Sequence, residues 1–360
     1  MKKIVTLAVL AAISGVAAAQ SNVTLFGVVD EAARYVKNGD LKLKSLASGG
    51  INTSRLGVRG VEDLGGGLNA GFWLETGLNA DSGSQSDTTR FWNRRSTVSL
   101  LGSFGEIRLG RDFTPTYTGY TDYDVFGDNG IAASSKFDIS LGVARDGQTN
   151  VTQYTNSGET RADNQVAYFL PSNIGGVYGR AAVAAGEGTA GKKYYGGRLG
   201  WAGAGADVSA SYGQFTVSPV AGDDKYKTFD VGASYDFNVA KIFAYYTQSK
   251  LATQKIATYS VGATAPIGVG LIKAQFTHAN QSGTVGAGAV GLPVGTNVDA
   301  NDADQIAVGY IYNLSKRTAV YGTAAYVKNK GNAAFALASA PAMTAGAKST
   351  GAEVGLRHAF

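Results

Sequence analysis

Along much of this chain every second residue is apolar, in stretches of about ten residues separated by turn-forming residues. Thr228 to Phe237 shows it most clearly. Phe229, Val231, Ala233, Tyr235 and Phe237 share one face of an extended strand, and Thr228, Asp230, Gly232, Ser234 and Asp236 share the other. Gln305 to Leu314 sets Ile306, Val308, Tyr310, Tyr312 and Leu314 against Gln305 and Asn313. Thr258 to Ile267 sets Tyr259, Val261, Ala263, Ala265 and Ile267 against Thr258, Ser260, Gly262 and Thr264. Strands of a soluble sandwich average about 5–6 residues. Amphipathic strands of about ten, with aromatic residues near the ends of the apolar face, fit a barrel that crosses a membrane.

The connections alternate in length. Short ones fall at Asp63–Gly67, Ser103–Gly105, Ser172–Gly176, Ala202–Gly205, Asn238–Ala240, Gly268–Gly270 and Ser315–Arg317; longer polar or Gly/Ala-rich ones include Asn38–Ser48, Gln281–Asp304 and Gly331–Lys348. Tight turns on one side and long loops on the other are the asymmetry of an outer-membrane barrel. Strands counted between these marks number about 16, an even count that lets an antiparallel sheet close on itself. The fold predicted is all-β, one antiparallel transmembrane barrel. One connection is out of scale: roughly fifty residues separate Arg111 from Arg161. Its aromatic and acidic residues (Tyr117, Tyr120, Tyr123, Phe126, Asp122, Asp124, Asp128) favour packing over disorder. A barrel of this size holds an aqueous lumen, which a loop over 113–160 folded inward would narrow.

Composition removes several alternatives. Cysteine is absent, so thiol catalysis and cysteine-based metal sites are excluded. No stretch beyond the N-terminus is long and apolar enough for a membrane helix. Residues 1–19 read as a secretory signal: Lys2 and Lys3, an apolar run, then Ala17-Ala18-Ala19 before Gln20. That leaves 20–360 as the mature barrel. Losing two lysines lowers the formal net charge of +5 to +3, which weakens any case for nucleic-acid binding. Gly286 to Gly291 matches G-x-G-x-x-G without the strand–helix setting a dinucleotide site needs, and Gly65-Gly66-Gly67 lacks the lysine of a phosphate loop. No His/carboxylate cluster suggests a metal, and no cofactor is expected. Trp73, Trp92 and Trp201 read as anchors at the membrane interface.

Several segments together resemble the general porins of Gram-negative bacteria. Val23-Thr24-Leu25-Phe26-Gly27-Val28-Val29-Asp30 is similar to their first strand. Ser54-Arg55-Leu56-Gly57-Val58-Arg59-Gly60-Val61-Glu62-Asp63 and Leu64 to Leu68 resemble the second strand and first turn. Phe104-Gly105-Glu106-Ile107-Arg108-Leu109-Gly110-Arg111 resembles the strand entering the constriction loop, and Arg161-Ala162-Asp163-Asn164 the strand leaving it. Val354-Gly355-Leu356-Arg357-His358-Ala359-Phe360 resembles the closing strand of β-proteobacterial porins. The resemblance implies a homotrimer of sixteen-stranded barrels in the outer membrane, each with its third external loop folded inward. It also implies passive passage of ions and small hydrophilic solutes. The terminal Phe360 resembles the signal read by the barrel assembly machinery.

Charge should then set the pore. Arg55 and Arg59 share one face of their strand, and Arg95 shares a face with Thr97 and Ser99. An arginine facing lipid near the midplane costs about 2–4 kcal/mol, so these side chains belong in the lumen. By resemblance Arg55, Arg111 and Arg161 take the positions of the basic cluster on the constriction wall, and Gly119-Tyr120-Thr121-Asp122 supplies an opposing carboxylate. Opposed rows of charge across a narrow lumen produce a focused transverse field; the plainer reading is that the arginines only tie down the loop. Arg111 has the parity of Ile107 and Leu109, so it needs a bulge to reach the lumen. Where the family continues Pro-Glu-Phe-Gly-Gly, this chain has Asp124-Val125-Phe126-Gly127-Asp128, which leaves open which of Asp124 and Asp128 faces the pore. The arginine surplus leans towards anions, with Asp30, Asp122, Asp124 and Asp128 acting against it. Two rivals stand beside this reading. A structural or adhesive barrel would have its lumen plugged. A barrel enzyme would need a base, and His278, beside Phe276, and His358, on an apolar terminal face, are poor candidates.

Overall fold

Alternation dictates the architecture: a strand with one apolar face can satisfy lipid on that side only if its polar face turns to an interior shared with other strands. The computed structural model describes residues 22–137, 160–187, 193–220, 223–285, 293–338 and 341–360. The wall begins with β1 (Asn22–Asn38), β2 (an interrupted strand, Leu41–Ser48 and Arg55–Gly65), β3 (Leu68–Asn79), β4 (Arg95–Gly102) and β5 (Gly105–Phe113). After the long connection come β6 (Arg161–Phe169), β7 (Val177–Ala184), β8 (Lys193–Gly203), β9 (Ala206–Val220), β10 (Asp223–Asp236) and β11 (Lys241–Leu251). It ends with β12 (Gln254–Ile267), β13 (Gly270–Ser282), β14 (Ala303–Asn313), β15 (Thr318–Asn329) and β16 (Lys348–Ala359). A two-residue strand, Ser84–Gln85, belongs to the connection after β3 and not to the wall. Every neighbour pairs antiparallel, and β1 pairs with β16 from Val28↔Ala359 to Asn38↔Ser349, closing a sixteen-stranded barrel. Gly27 and Phe360 exchange both backbone hydrogen bonds at 3.1 Å at the seam.

The apolar faces point out. Val231, Tyr259, Val261, Ile306 and Val354 are each exposed, whereas Asp230, Thr258, Ser260, Gln305 and Glu353 on the opposite faces are buried inside. Ala352, Val354, Leu356, His358 and Phe360 lie together on the outer face of β16.

Asn38–Ser48 is not the loop its lysine and glycine content suggested. β1 runs on to Asn38, Gly39 takes φ +58°, and Leu41–Ser48 returns beside Glu31–Asn38 as a hairpin. A two-residue turn of this kind needs positive φ, which glycine supplies without strain. Such a hairpin lacks a continuous apolar face, so alternation could not reveal it. At the break in β2 the amides of Ile51 and Asn52 donate to Asp30 Oδ2 (2.9 and 2.6 Å), and the Tyr321 hydroxyl donates to Oδ1. Asp30 is fully buried here, so its carboxylate holds the break and does not face the pore.

The connection after β5 crosses the interior. Thr114 caps helix α1 (Pro115–Thr121), its hydroxyl accepting from Tyr117 N at 3.2 Å, with proline in the first turn. The helix lies against the inner faces of β8 to β11. Tyr123 then covers Gly232 and donates to Asp207 Oδ1 at 2.6 Å. Val125 N donates to Gln275 Oε1 (2.9 Å), Gln305 Nε2 donates to Ala132 O (2.9 Å) and Ile131 N donates to Glu353 Oε1 (3.2 Å). Residues 114–137 therefore pass from β8–β10 across to β14–β16; the rest of the expected loop over 113–160, residues 138–159, lies outside the described residues, as do the signal segment and Gly286–Gly291.

Candidate pore constriction

Glu75 on the inner face of β3 gathers one group of side chains. Its Oε1 accepts from Arg94 Nε at 2.5 Å, its Oε2 accepts from Trp73 Nε1 at 3.0 Å, and Arg55 Nε lies 3.9 Å away. Arg161, at the start of β6, donates Nε to the Arg94 carbonyl at 2.7 Å and sets its guanidinium over the Phe113 ring, 4.1 Å from the centroid. Two guanidiniums, those of Arg55 and Arg94, thus meet one carboxylate, and Arg161 adjoins them through the Arg94 carbonyl with no carboxylate within ion-pair distance among the described residues.

The loop meets this wall through aromatic rings. Phe113 stacks on Tyr117 at 4.9 Å, and the Tyr117 hydroxyl donates to Asp128 Oδ2 at 3.2 Å. Asp128 also accepts from Ser135 N at 3.0 Å. Burial, reinforced by nearby Asp124, pushes its carboxyl up to about 6. Asp124 is more deeply buried, with Oδ1 accepting from Phe126 N at 2.8 Å; burial raises its carboxyl too. It lies beneath the loop and not at the pore surface. Asp122 is the open one: its side chain is 56% exposed and pairs with Arg198.

Arg59 and Arg95 lie deeper, towards the short-turn end, and flank the Trp73 ring at 4.9 and 4.4 Å. Trp73 is therefore a lumen residue, not an interfacial anchor; it shares the inward parity of Glu75, and its Nε1 is used there. Arg95 also meets Asp112 (3.6 Å), which Arg108 contacts at 2.5 Å. Trp201, by contrast, lies outside, 40% exposed.

Arg111 stands apart from the Glu75 group. The β5–β6 register shifts between Gly110 and Asp112, Gly110 takes φ +121°, and Arg111 binds Asn93 O (2.7 Å) and Asp163 Oδ1 (2.5 Å). Arg90 from the preceding outer loop joins Asp163 at 2.9 Å. This irregularity ties a loop to the wall.

Reading by alternation missed Glu75, Arg94, Arg108, Arg180 and Arg198. Arg180 donates to Thr114 O and to Thr118 Oγ1 (2.6 Å); Arg198 donates to Thr118 O (2.9 Å), Ser209 Oγ (3.0 Å) and Asp122. Both face in, opposite exposed Val183, Leu199 and Trp201, so the signal was present in the parity of β7 and β8. Arg94 precedes β4, where parity has no meaning.

An apolar belt outside, a polar interior and an arginine-lined passage narrowed by a loop define a water-filled channel of an outer membrane. Residues 6–332 match the family described as Gram-negative porin. The chain is 40% identical over its whole length to outer membrane porin protein 32 of Delftia acidovorans, covering 99% of that protein. It is 28% identical to an outer membrane porin protein of Bordetella pertussis over the full length of both. The anion-selective porin from Comamonas acidovorans superposes with a TM-score of 0.81 at 36% identity, over 95% of this chain and 100% of that one. The trimer form of OmpT from Vibrio cholerae shares the fold, with a TM-score of 0.64 at 17% identity over 94% and 99% of the two chains. The chain belongs to the Gram-negative porin family. It is an outer-membrane diffusion porin, and the plugged-barrel alternative is not favoured.

Proposed function

We propose that this porin favours anions and that Arg55, Arg94 and Arg161, facing the inward loop with Asp122 and Asp128, set the selectivity. The observation carrying this is the charge balance around Glu75: two guanidiniums share its carboxylate, and a third, Arg161, rests on a carbonyl and a ring with no carboxylate within ion-pair distance among the described residues. Low-dielectric walls focus the resulting field across the lumen. Arg59 and Arg95 extend positive potential along the path. Asp122 moderates it from the loop, while Asp124 stays buried and Arg111 acts structurally. The similarity to an anion-selective porin supports the same sign.

The working unit in this reading is a homotrimer of mature chains beginning at Gln20, embedded in outer-membrane lipid after export. Phe360 serves barrel assembly, consistent with its place at the closing seam. Zero-current potential across a planar bilayer under a salt gradient tests the selectivity. An anion-directed potential with stepwise ohmic openings is expected; a cation-directed one overturns the assignment. A folded barrel that conducts nothing would restore the plugged reading.

A further inference from the structure

The arginines around Glu75 occupy one side of the lumen; half a turn around the wall, a smaller basic cluster faces the same water-filled space. Lys241 opens β11 and is directly opposite Thr264 on β12, which is directly opposite Lys273 on β13. All three share the inward parity of buried Tyr245, Ser260 and Gln275, whereas Ile242, Val261 and Ile272 on the other faces are exposed. The row lies just inside the short turns Asn238–Ala240 and Gly268–Gly270. Short turns mark the periplasmic end of such a barrel, so the row flanks the passage between the inward loop and the periplasmic mouth.

Each ammonium group rests on a ring and on no carboxylate. Lys241 Nζ lies 5.1 Å from the Phe243 centroid, and Lys273 Nζ lies 4.8 Å from that of Phe126 on the loop. Among the described residues neither lysine has a carboxylate within ion-pair distance, and the Thr264 hydroxyl has no hydrogen-bond partner. The acids nearby are engaged elsewhere. Asp236, directly opposite Lys241, accepts from Asn238 N at 2.8 Å, and buried Asp124 accepts from Phe126 N at 2.8 Å. Both lysines are half-buried. A charge partly withdrawn from water and left without a counter-charge is costly, and an anion from the lumen removes that cost.

Two ladder spacings separate the lysine backbones by about 10 Å, and side chains on the concave face of a barrel converge. Both ammonium groups can therefore reach one ion placed over Thr264, with the threonine hydroxyl as a third donor. We propose that Lys241, Thr264 and Lys273 form a binding site for a small tetrahedral dianion of the sulfate type on the periplasmic side of the constriction loop. Two negative charges match two ammonium groups, and tetrahedral oxygens serve three donors at once; chloride offers neither. The inference requires an open lumen but not the selectivity assigned to the Glu75 group.

The test titrates sulfate into the purified protein in potassium chloride and reads two quantities: the heat of binding in detergent, and the chloride conductance across a planar bilayer. Wild-type protein should show a saturable component of one sulfate per chain with a matching partial block. A linear, unsaturable response overturns the proposal. Lys241→Gln/Lys273→Gln should weaken that component about tenfold or more, the scale of a lost charge-assisted hydrogen bond. Thr264→Val keeps every charge, so a diffuse positive field would leave its affinity unchanged, whereas the site requires a loss of about fivefold. Wild-type affinity in either variant overturns the proposal. Zero-current potentials in potassium chloride alone keep the two readings apart: an anion-directed potential without saturable sulfate binding overturns the site and leaves the selectivity standing.

Discussion

Arg94 Nε donates to Glu75 Oε1 at 2.5 Å, and the Arg94 amide donates to the Glu75 carbonyl at 3.1 Å. A residue just outside β4 is thereby fastened twice to a wall strand, and its own carbonyl is left to receive Arg161. Glu75 is thus both the counter-charge and the mount of the basic group. Glu75→Gln should uncover one further positive charge and strengthen anion preference in the zero-current potential. It should also lower thermal stability by about 1–3 kcal/mol, the scale of a charge-assisted hydrogen bond. An unaltered potential would show that the guanidiniums near Glu75 do not face permeating ions.

Reversing the wall tests the same group from the other side. Arg55→Glu with Arg161→Glu changes the charge there by four units, and the zero-current potential should turn towards cations. Trimers should persist on gels, because neither residue contributes to the outer face. A parallel Arg111→Glu variant should leave selectivity nearly unchanged and instead loosen the Arg90–Asp163 contact of the outer loop.

Acidity provides a third handle. Burial raises the Asp128 carboxyl to about 6, and its partners Tyr117 and Ser135 only partly oppose this. The same packing lowers Lys136, near Asp128, Asp124 and Glu353, to about 8. Between pH 7 and 5 Asp128 takes up a proton, the loop loses a negative charge and anion preference should rise. Because the folded value lies above the ordinary one of 3.8, the folded loop binds a proton that the unfolded chain releases between about pH 4 and 6. Its stability contribution is therefore present at low pH and lost as pH rises through that window. Zero-current potentials of the wild type and Asp128→Asn across this range check the sign, and the variant should show no step.

What sequence could reveal here follows from where alternation has meaning. Phe229 to Phe237, Ile306 to Leu314 and Tyr259 to Ile267 were legible because lipid lies on one side and a polar interior on the other. Arg180 and Arg198 obey the same rule and could have been read from it. Residue type alone puts Trp73 at the membrane interface, whereas its shared parity with Glu75 puts it in the lumen. Arg94 lies outside any strand, so only the three-dimensional approach to Glu75 shows its role. The shift at Gly110 that redirects Arg111 depends on a φ of +121°, a conformation open to glycine but not demanded by it.

Gly232 shows how closely the loop is seated. A Cβ built there would lie 1.9 Å from Tyr123 Cδ2, so no larger residue fits unless the ring moves. That ring also anchors the loop through its hydroxyl, which reaches Asp207 (2.6 Å) and Ser209 (3.1 Å), with Tyr178 at 3.2 Å. Gly232→Val should therefore expel Tyr123 and cost about 1–3 kcal/mol through overpacking. The outer face of β10 is untouched, so the barrel should still insert. The loop, released from β10 but still held at Gln275, Gln305 and Glu353, should occupy less of the lumen. Single-channel recordings should show higher or noisier conductance with weaker ion selectivity. Tyr123→Phe, which keeps the ring and removes the hydroxyl, should give a smaller change of the same sign. Conductance equal to wild type in both variants would mean that this end of the loop does not set the width of the pore.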